Sequence, residues 1–218
     1  MRPLVLVRPE PAASDSAARA EALGLTVIRA PLFELQRVAW RVPDLDPFDG
    51  LLLTSANAVL LGGPKLERLR RLPVHAVGKA TAEAARAAGF SVASLGGAGV
   101  DVLLAGLPRG IRLLHLAGAD RRAPQAHGAR LVAVTVYRAA PVEPADGFAG
   151  RVGGAVVAIH SRRAGERLAA LIEARGATAV VAISEDAAAG TGPGWERVAV
   201  AARPTDAALL ALAAELCL

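Results

Sequence analysis

Short apolar runs alternate with alanine-rich stretches of helical period along almost the whole chain. Short continuous apolar runs mark strands buried on both faces, and helices between successive strands imply parallel pairing. The pattern predicts strands over residues 3–8, 25–30, 50–54, 73–77, 91–94, 111–116, 131–137, 154–160, 178–183 and 196–201, with helices in most intervals. Two stretches break the rhythm: "PLFELQRVAWRVPDLDPFD" (31–49) and "RAAPVEPADGFAGRVGG" (138–154). Both carry prolines and no helical period, and both read as extended linkers.

The segments between these breaks resemble one another in pairs. "GLLLTSANAVLL" followed by "VHAVGKATAEAARAAGFSV" parallels "AVVAIHSRRAGERLAAL" followed by "AVVAISEDAAAGTGPGWERVAV". Each reads as strand, polar turn, helix, strand, polar turn, helix, strand. The shorter pieces, "PLVLVRPEPAASDSAARAEALGLTVIRA" and "RLLHLAGADRRAPQAHGARLVAVTVY", each read as strand, loop, helix, strand. One short and one long piece make a five-stranded doubly wound sheet, and periodicity allows sequential or nested pairing. The linkers fall after residues 30 and 137, where a nested chain crosses between domains. The expectation is an α/β protein of two doubly wound parallel-sheet domains, one inserted in the other. The first is built from 1–35 plus 141–218, the second from 38–136.

Most strands end in a small or polar residue at the turn into a helix: Arg8, Thr54 and Ser55, Gly78 and Lys79, Gly118, His160 and Ser161, and Ser184. Ligands of open α/β sheets bind beyond the carboxyl ends of the strands, where helix N-termini offer unpaired N–H donors. Thr54 and Ser55 are expected to cap a helix in this way. A single such cap needs no ligand, because Ser and Thr are favoured N-caps in any helix. Repetition in both predicted domains favours a cleft for an anionic ligand.

Composition narrows the chemistry. No apolar stretch approaches the roughly 18 to 20 residues needed to span a bilayer, and "MRPLVLVRPEP" is too short in its apolar part for a signal peptide. The single cysteine, Cys217, has no partner for a disulfide, so a cytoplasmic location is expected. Net charge is +5 and almost wholly arginine. The longest basic clusters are Arg68, Arg70 and Arg71, then Arg121 and Arg122, then Arg162 and Arg163. With only 3% aromatic residues and no basic stripe, nucleic acid is not the expected partner. "GGPKLER" lacks the Walker spacing, and "LGGAGVD" lacks the third glycine of a dinucleotide loop. His75, His115, His127 and His160 show no metal-ligand spacing, so no metal is expected. No serine lies in a nucleophile elbow, and Glu185 and Asp186 suit a helix N-terminus better than an acid/base pair. Tyr137, the only tyrosine, closes "LVAVTVYRAAP" at a predicted domain crossover, where its hydroxyl is a hydrogen-bond donor for core, interface or ligand.

"LVRPEP", "LLLTSANAV", "AVGKATAEAARAAGF", "LLHLAGADRR", "VTVYRAAP" and "VAVAARPTDAALLALAAEL" occur in one order over nearly the whole chain. In that set the chain resembles the uroporphyrinogen-III synthase family. The resemblance implies two flavodoxin-like domains joined by two extended linker strands, acting as a monomer without cofactor. It implies cyclisation of linear hydroxymethylbilane, a small-molecule tetrapyrrole, with loss of water and inversion of ring D through a spirocyclic intermediate. By position, Tyr137 matches a tyrosine that assists departure of the hydroxyl. Thr54, Ser55, Thr81 and Ser161 match polar residues facing the cleft, and Arg8, Ala56, Gly78, Lys79, Gly118 and Ser184 complete the expected substrate-binding set. Two departures stand out. "SEDAAAG" replaces a Gly-Pro-Thr-like turn, and "AGADRRAPQAHGARLVAV" is short, leaving little helix before Tyr137. The alternative is a non-catalytic module of the same architecture that binds an anionic ligand.

Overall fold

The structure, a computed structural model, describes residues 1–97, 99–121 and 123–218. Ala98 of "LGGAGVD" and Arg122 of the basic pair lie outside the described residues. The chain runs through β1 (Leu4–Leu6), α1 (Ala12–Ala22), β2 (Val27–Arg29) and β3 (Phe33–Arg37). Then follow β4 (Gly50–Leu53), α2 (Asn57–Gly62), a 3-10 turn (Pro64–Leu69), β5 (Val74–Val77), α3 (Lys79–Ala87), β6 (Val92–Gly96), α4 (Val100–Ala105), β7 (Arg112–Gly118) and β8 (Arg130–Pro141). The last part holds α5 (Phe148–Val152), β9 (Val156–Ile159), α6 (Arg162–Leu171), β10 (Ala179–Ala182), α7 (Glu185–Ala189), β11 (Arg197–Val200) and α8 (Asp206–Cys217).

Two compact units emerge: Met1–Glu34 with Ala140–Leu218 as unit 1, and Leu35–Ala139 as unit 2. Among the described residues the sheet of unit 1 has the order β11-β10-β9-β1-β2, and the other sheet has the order β3-β8-β7-β4-β5-β6. The strand pairs within β11 to β2 and within β8 to β6 are parallel. Leaving β3 aside, the two sheets share one layout. In each, the two strands of a short piece lie beside the three strands of a long piece, and the first strands of both pieces meet at the middle. The short piece comes first along the chain in unit 1 and last in unit 2, so the sheets are permuted copies.

Strands β4, β9 and β10 are buried at every position, as a sheet covered on both faces requires. In unit 2, Leu51 and Leu53 pack with Leu114 and Leu116 on one face, while Leu52 and Leu113 pack with Leu103 and Leu104 on the other. The core of unit 1 gathers Leu4, Leu6, Val156, Ala158 and Val181 under Leu209 and Leu210 of α8.

Three local expectations change. The stretch 31–49 contains the extended strand β3 and β8 runs on to Pro141, as extended linkers require, but 138–154 also contains the helix α5. The short piece before Tyr137 has no helix among its described residues: β7 reaches β8 through bends and turns. Thr54 and Ser55 do not supply the N-cap of α2; that position is Ala56, with no side-chain cap. The six residues of α2 begin at Asn57, two residues after Ser55, and Ser55 Oγ instead accepts from the Asn57 N–H at 3.2 Å.

Candidate functional site

The carboxyl ends of β4 and β7 are adjacent where the strand order of unit 2 reverses, the place where open α/β sheets bind ligands. Register sets Leu52 against His115, so the residues that follow on β4 meet the side chain of β7: Thr54 Oγ1 and His115 Nε2 share a hydrogen bond at 3.1 Å. His115 is buried, and burial together with the nearby Arg121 guanidinium lowers its pKa to about 4. It is therefore a neutral, positioned imidazole at physiological pH.

Stability follows from that value with a definite sign. The unfolded chain takes up a proton at His115 near pH 6.5, and the folded protein refuses it until about pH 4. The favourable contribution is complete above pH 6.5 and is lost as pH falls towards 4, with a size on the order of 3 kcal/mol. Urea unfolding of wild type and His115→Gln at pH 7 and pH 4.5 tests it. Wild type should lose more stability than the variant across that interval; equal losses would contradict it.

Tyr137 is brought to this rim by an irregularity in β8. Ala117 pairs with Thr135 and Gly118 pairs with Tyr137, so Val136 is an extra residue in the ladder. A bulge of this kind re-aims the following side chain. Val136 is fully buried, and Tyr137, its neighbour, packs against the same core cluster although successive strand residues normally face apart. The phenol ring lies on Gly118. A Cβ there would sit 2.8 Å from Cζ, 2.9 Å from Cε2 and 3.0 Å from the hydroxyl of Tyr137, so only glycine admits the ring. The Ala119 N–H donates to the Tyr137 carbonyl at 2.9 Å and closes the pair.

The remaining predicted residues of unit 2 divide by exposure. Gly78 takes φ +84° at the entry to α3, a conformation that suits glycine. Lys79 opens the helix, is exposed, and lies 3.7 Å from Glu83 one turn on. Thr81 is buried within α3.

In unit 1, Ser161 and Ser184 are true N-caps: their hydroxyls accept from the N–H groups of Ala164 and Ala187, each at 3.3 Å. Arg8 is turned inward. Its Nη1 donates to Asp206 Oδ1 and to Ser16 Oγ, both at 2.9 Å. The same Asp206 oxygen accepts from Ser16 Oγ at 2.8 Å and His160 Nε2 at 2.9 Å, while Oδ2 receives Arg19 through Nε at 3.0 Å and Nη2 at 2.8 Å. Burial opposes ionisation of Asp206, but the hydrogen bonds from His160, Ser16 and Arg19 outweigh it and hold the carboxyl far below its usual range. Burial likewise lowers His160, which donates as the neutral imidazole. The first residue of α8 thus ties together α1 and the ends of β1 and β9.

Sequence reasoning noted Arg121 only as half of a basic pair and gave Asp206 and Thr135 no place. The available signals were an arginine three residues after the strand-ending Gly118, and a Thr-Asp pair opening a helix in "RPTDAALL". Among the described residues no three His, Cys, Asp or Glu side chains form a metal-binding group, and no helix is long and apolar enough to cross a membrane.

Two doubly wound parallel sheets with hydroxyls, helix N-termini and arginines at their carboxyl ends define an α/β protein of the small-molecule-binding class. A family model described as uroporphyrinogen-III synthase HemD matches residues 14–211. The chain belongs to the uroporphyrinogen-III synthase family. It is 34% identical over 104 residues to the uroporphyrinogen-III synthase of Chlorobaculum parvum, a match that spans 44% of this chain and 42% of that relative. Uroporphyrinogen-III synthetase from Helicobacter pylori 26695 superposes with a TM-score of 0.66 at 21% identity, over 99% of this chain and 100% of that one. A mutant uroporphyrinogen III synthase from Thermus thermophilus gives 0.52 at 19% identity, over 97% of each chain. These two likenesses bear on the fold. None of the comparisons favours the non-catalytic alternative.

Proposed function

We propose that this chain converts linear hydroxymethylbilane to uroporphyrinogen III, with Tyr137 as its catalytic group. The observation that carries this proposal is the bulge at Val136 that seats Tyr137 on Gly118, in a chain matched to the family over residues 14–211. The Tyr137 hydroxyl donates a hydrogen bond to the departing hydroxyl of the substrate. Pyrrole electrons expel it as the C–O bond breaks, the phenol proton passes to it so that water leaves, and the proton released on final ring closure restores the phenol. The substituted carbon of ring D then attacks the freed methylene carbon, and fragmentation and reclosure of the spirocycle invert the ring.

The uninverted isomer forms without any protein, so the chief task is to fix the shape of a polycarboxylate. In unit 2 that task falls to Thr54, Ser55, Ala56, Gly78, Lys79, Thr81 and Gly118. In unit 1 it falls to the helix starts at Ser161 and Ser184, with Arg8 acting through Asp206. Each exposed helix start contributes about 0.3 to 1 kcal/mol, so several must act together. Lys79 adds attraction that salt weakens. The protein works as a cytoplasmic monomer and needs no cofactor.

Purified protein given fresh hydroxymethylbilane should yield mainly the III isomer on chromatography, and an isomer pattern matching the protein-free control would refute the proposal. Tyr137→Phe should lower kcat about 100-fold, the modest end for a positioned acid, with unchanged thermal unfolding. Undiminished turnover would remove Tyr137 from the mechanism.

A further inference from the structure

The bulge beside Tyr137 is bridged by a side chain that neither the expected site nor the comparisons assign. Arg121 Nη1 donates to the Gly118 carbonyl at 2.9 Å and to Thr135 Oγ1 at 3.0 Å. Gly118 is the residue the phenol covers, and Thr135 is the last residue of β8 in regular register before the bulge. The guanidinium therefore stands at the same glycine as the phenol, anchored on two sides. The residue as a whole is exposed. Both anchoring bonds use Nη1, and among the described residues no bond occupies Nε or Nη2, which can meet a ligand as a planar fork, the geometry that pairs with a carboxylate. The lowered pKa of the neighbouring His115 fits a local excess of positive charge.

We propose that Arg121 binds a carboxylate of the tetrapyrrole side chains next to Tyr137, and so helps hold the pyrrole that bears the hydroxymethyl group against the phenol. This rests on the function proposed above. Fixing Nη1 on Gly118 and Thr135 limits the rotamer freedom lost on binding, which for a free arginine side chain is substantial. The charge also lies at the rim, where a single arginine contributes to encounter as well as to the bound state.

The test separates this role from a staple and from general electrostatics. Arg121→Gln should raise KM for hydroxymethylbilane about 10- to 100-fold while kcat stays within about threefold, the range expected for loss of one charge-assisted pair. Arg121→Lys should recover part of the loss, and Arg86→Gln, which removes an equal charge from an exposed site on α3, should leave KM unchanged. A lowered kcat with unchanged KM in Arg121→Gln would overturn the proposal, since it would mean that the arginine only holds the bulge. Equilibrium binding of uroporphyrin, a stable polycarboxylate probe followed by tryptophan fluorescence, gives a readout independent of turnover. Wild type should bind it at least tenfold more tightly than Arg121→Gln. Equal affinities would overturn the carboxylate contact even where the isomer assay succeeds. A failed isomer assay with the affinity difference intact would count against the reaction alone.

Discussion

Replacing Asp206 with alanine should cost about 3 kcal/mol of stability at pH 7. One carboxylate there accepts from Arg8, Ser16, Arg19 and His160, and its side chain is only 18% exposed. Removing it leaves the Arg8 guanidinium, itself only 24% exposed, beside Ser16 and His160 without its directly bonded carboxylate. Breaking a buried pair from one side costs about 3 to 5 kcal/mol, and the partial exposure of both groups sets the lower figure here. The pH dependence has a fixed sign. Asp206 is held below its usual range in the fold, so its contribution is present above about pH 4 and is lost as pH falls further. Urea melts of wild type and Asp206→Ala should therefore differ most at neutral pH and converge below about pH 4. Equal midpoints at pH 7 would show that the cluster carries no stability.

The largest catalytic effect from the smallest chemical change is expected at Gly118. In Gly118→Ala the new methyl occupies the place of the Tyr137 ring, 2.8 Å from Cζ, and the phenol must move. Displacing a positioned group by about an ångström can cost on the order of 100-fold in rate. Gly118→Ala should thus lower kcat about as much as Tyr137→Phe, and the double variant should be little worse than either, because both remove one positioned hydroxyl. Gly150→Ala is the control: nothing lies within 4 Å of its added Cβ. Fully additive losses in the double variant would mean that Gly118 acts independently of the ring.

These two sites also mark where sequence stops informing. The buried strands were legible because sheets covered on both faces demand continuous apolar runs, as in "GLLL" and "AVVA". Strand β3 was not, because "FELQR" mixes polar and apolar positions and lies between prolines at the edge of its sheet. The polar end of β4 was legible as a turn, but the register of α2 was not: Ser55 and Ala56 are both compatible with a helix start, and hydrogen bonding chose the later one. Tyr137 drew notice as the sole tyrosine, yet the one-residue bulge that aims it leaves no trace in the periodicity of "LVAVTVY". Asp206 meets Arg8 across 198 positions of chain, a distance over which no local pattern carries information.

The permuted layout of the two sheets has a consequence in time. All strands of unit 2 from β4 to β8 lie in one continuous stretch, so a ribosome delivers that unit complete before β9 has been made. Strands β1 and β2, although made before unit 2, gain their neighbour β9 only once residues 156–159 follow, and Arg8 meets Asp206 only when α8 begins. Domains fold as units during synthesis, and here the beginning of the chain must wait with a short parallel pair that has no full sheet to join. Strands made before unit 2 become native after it, and the contact at Asp206 records that the wait is over.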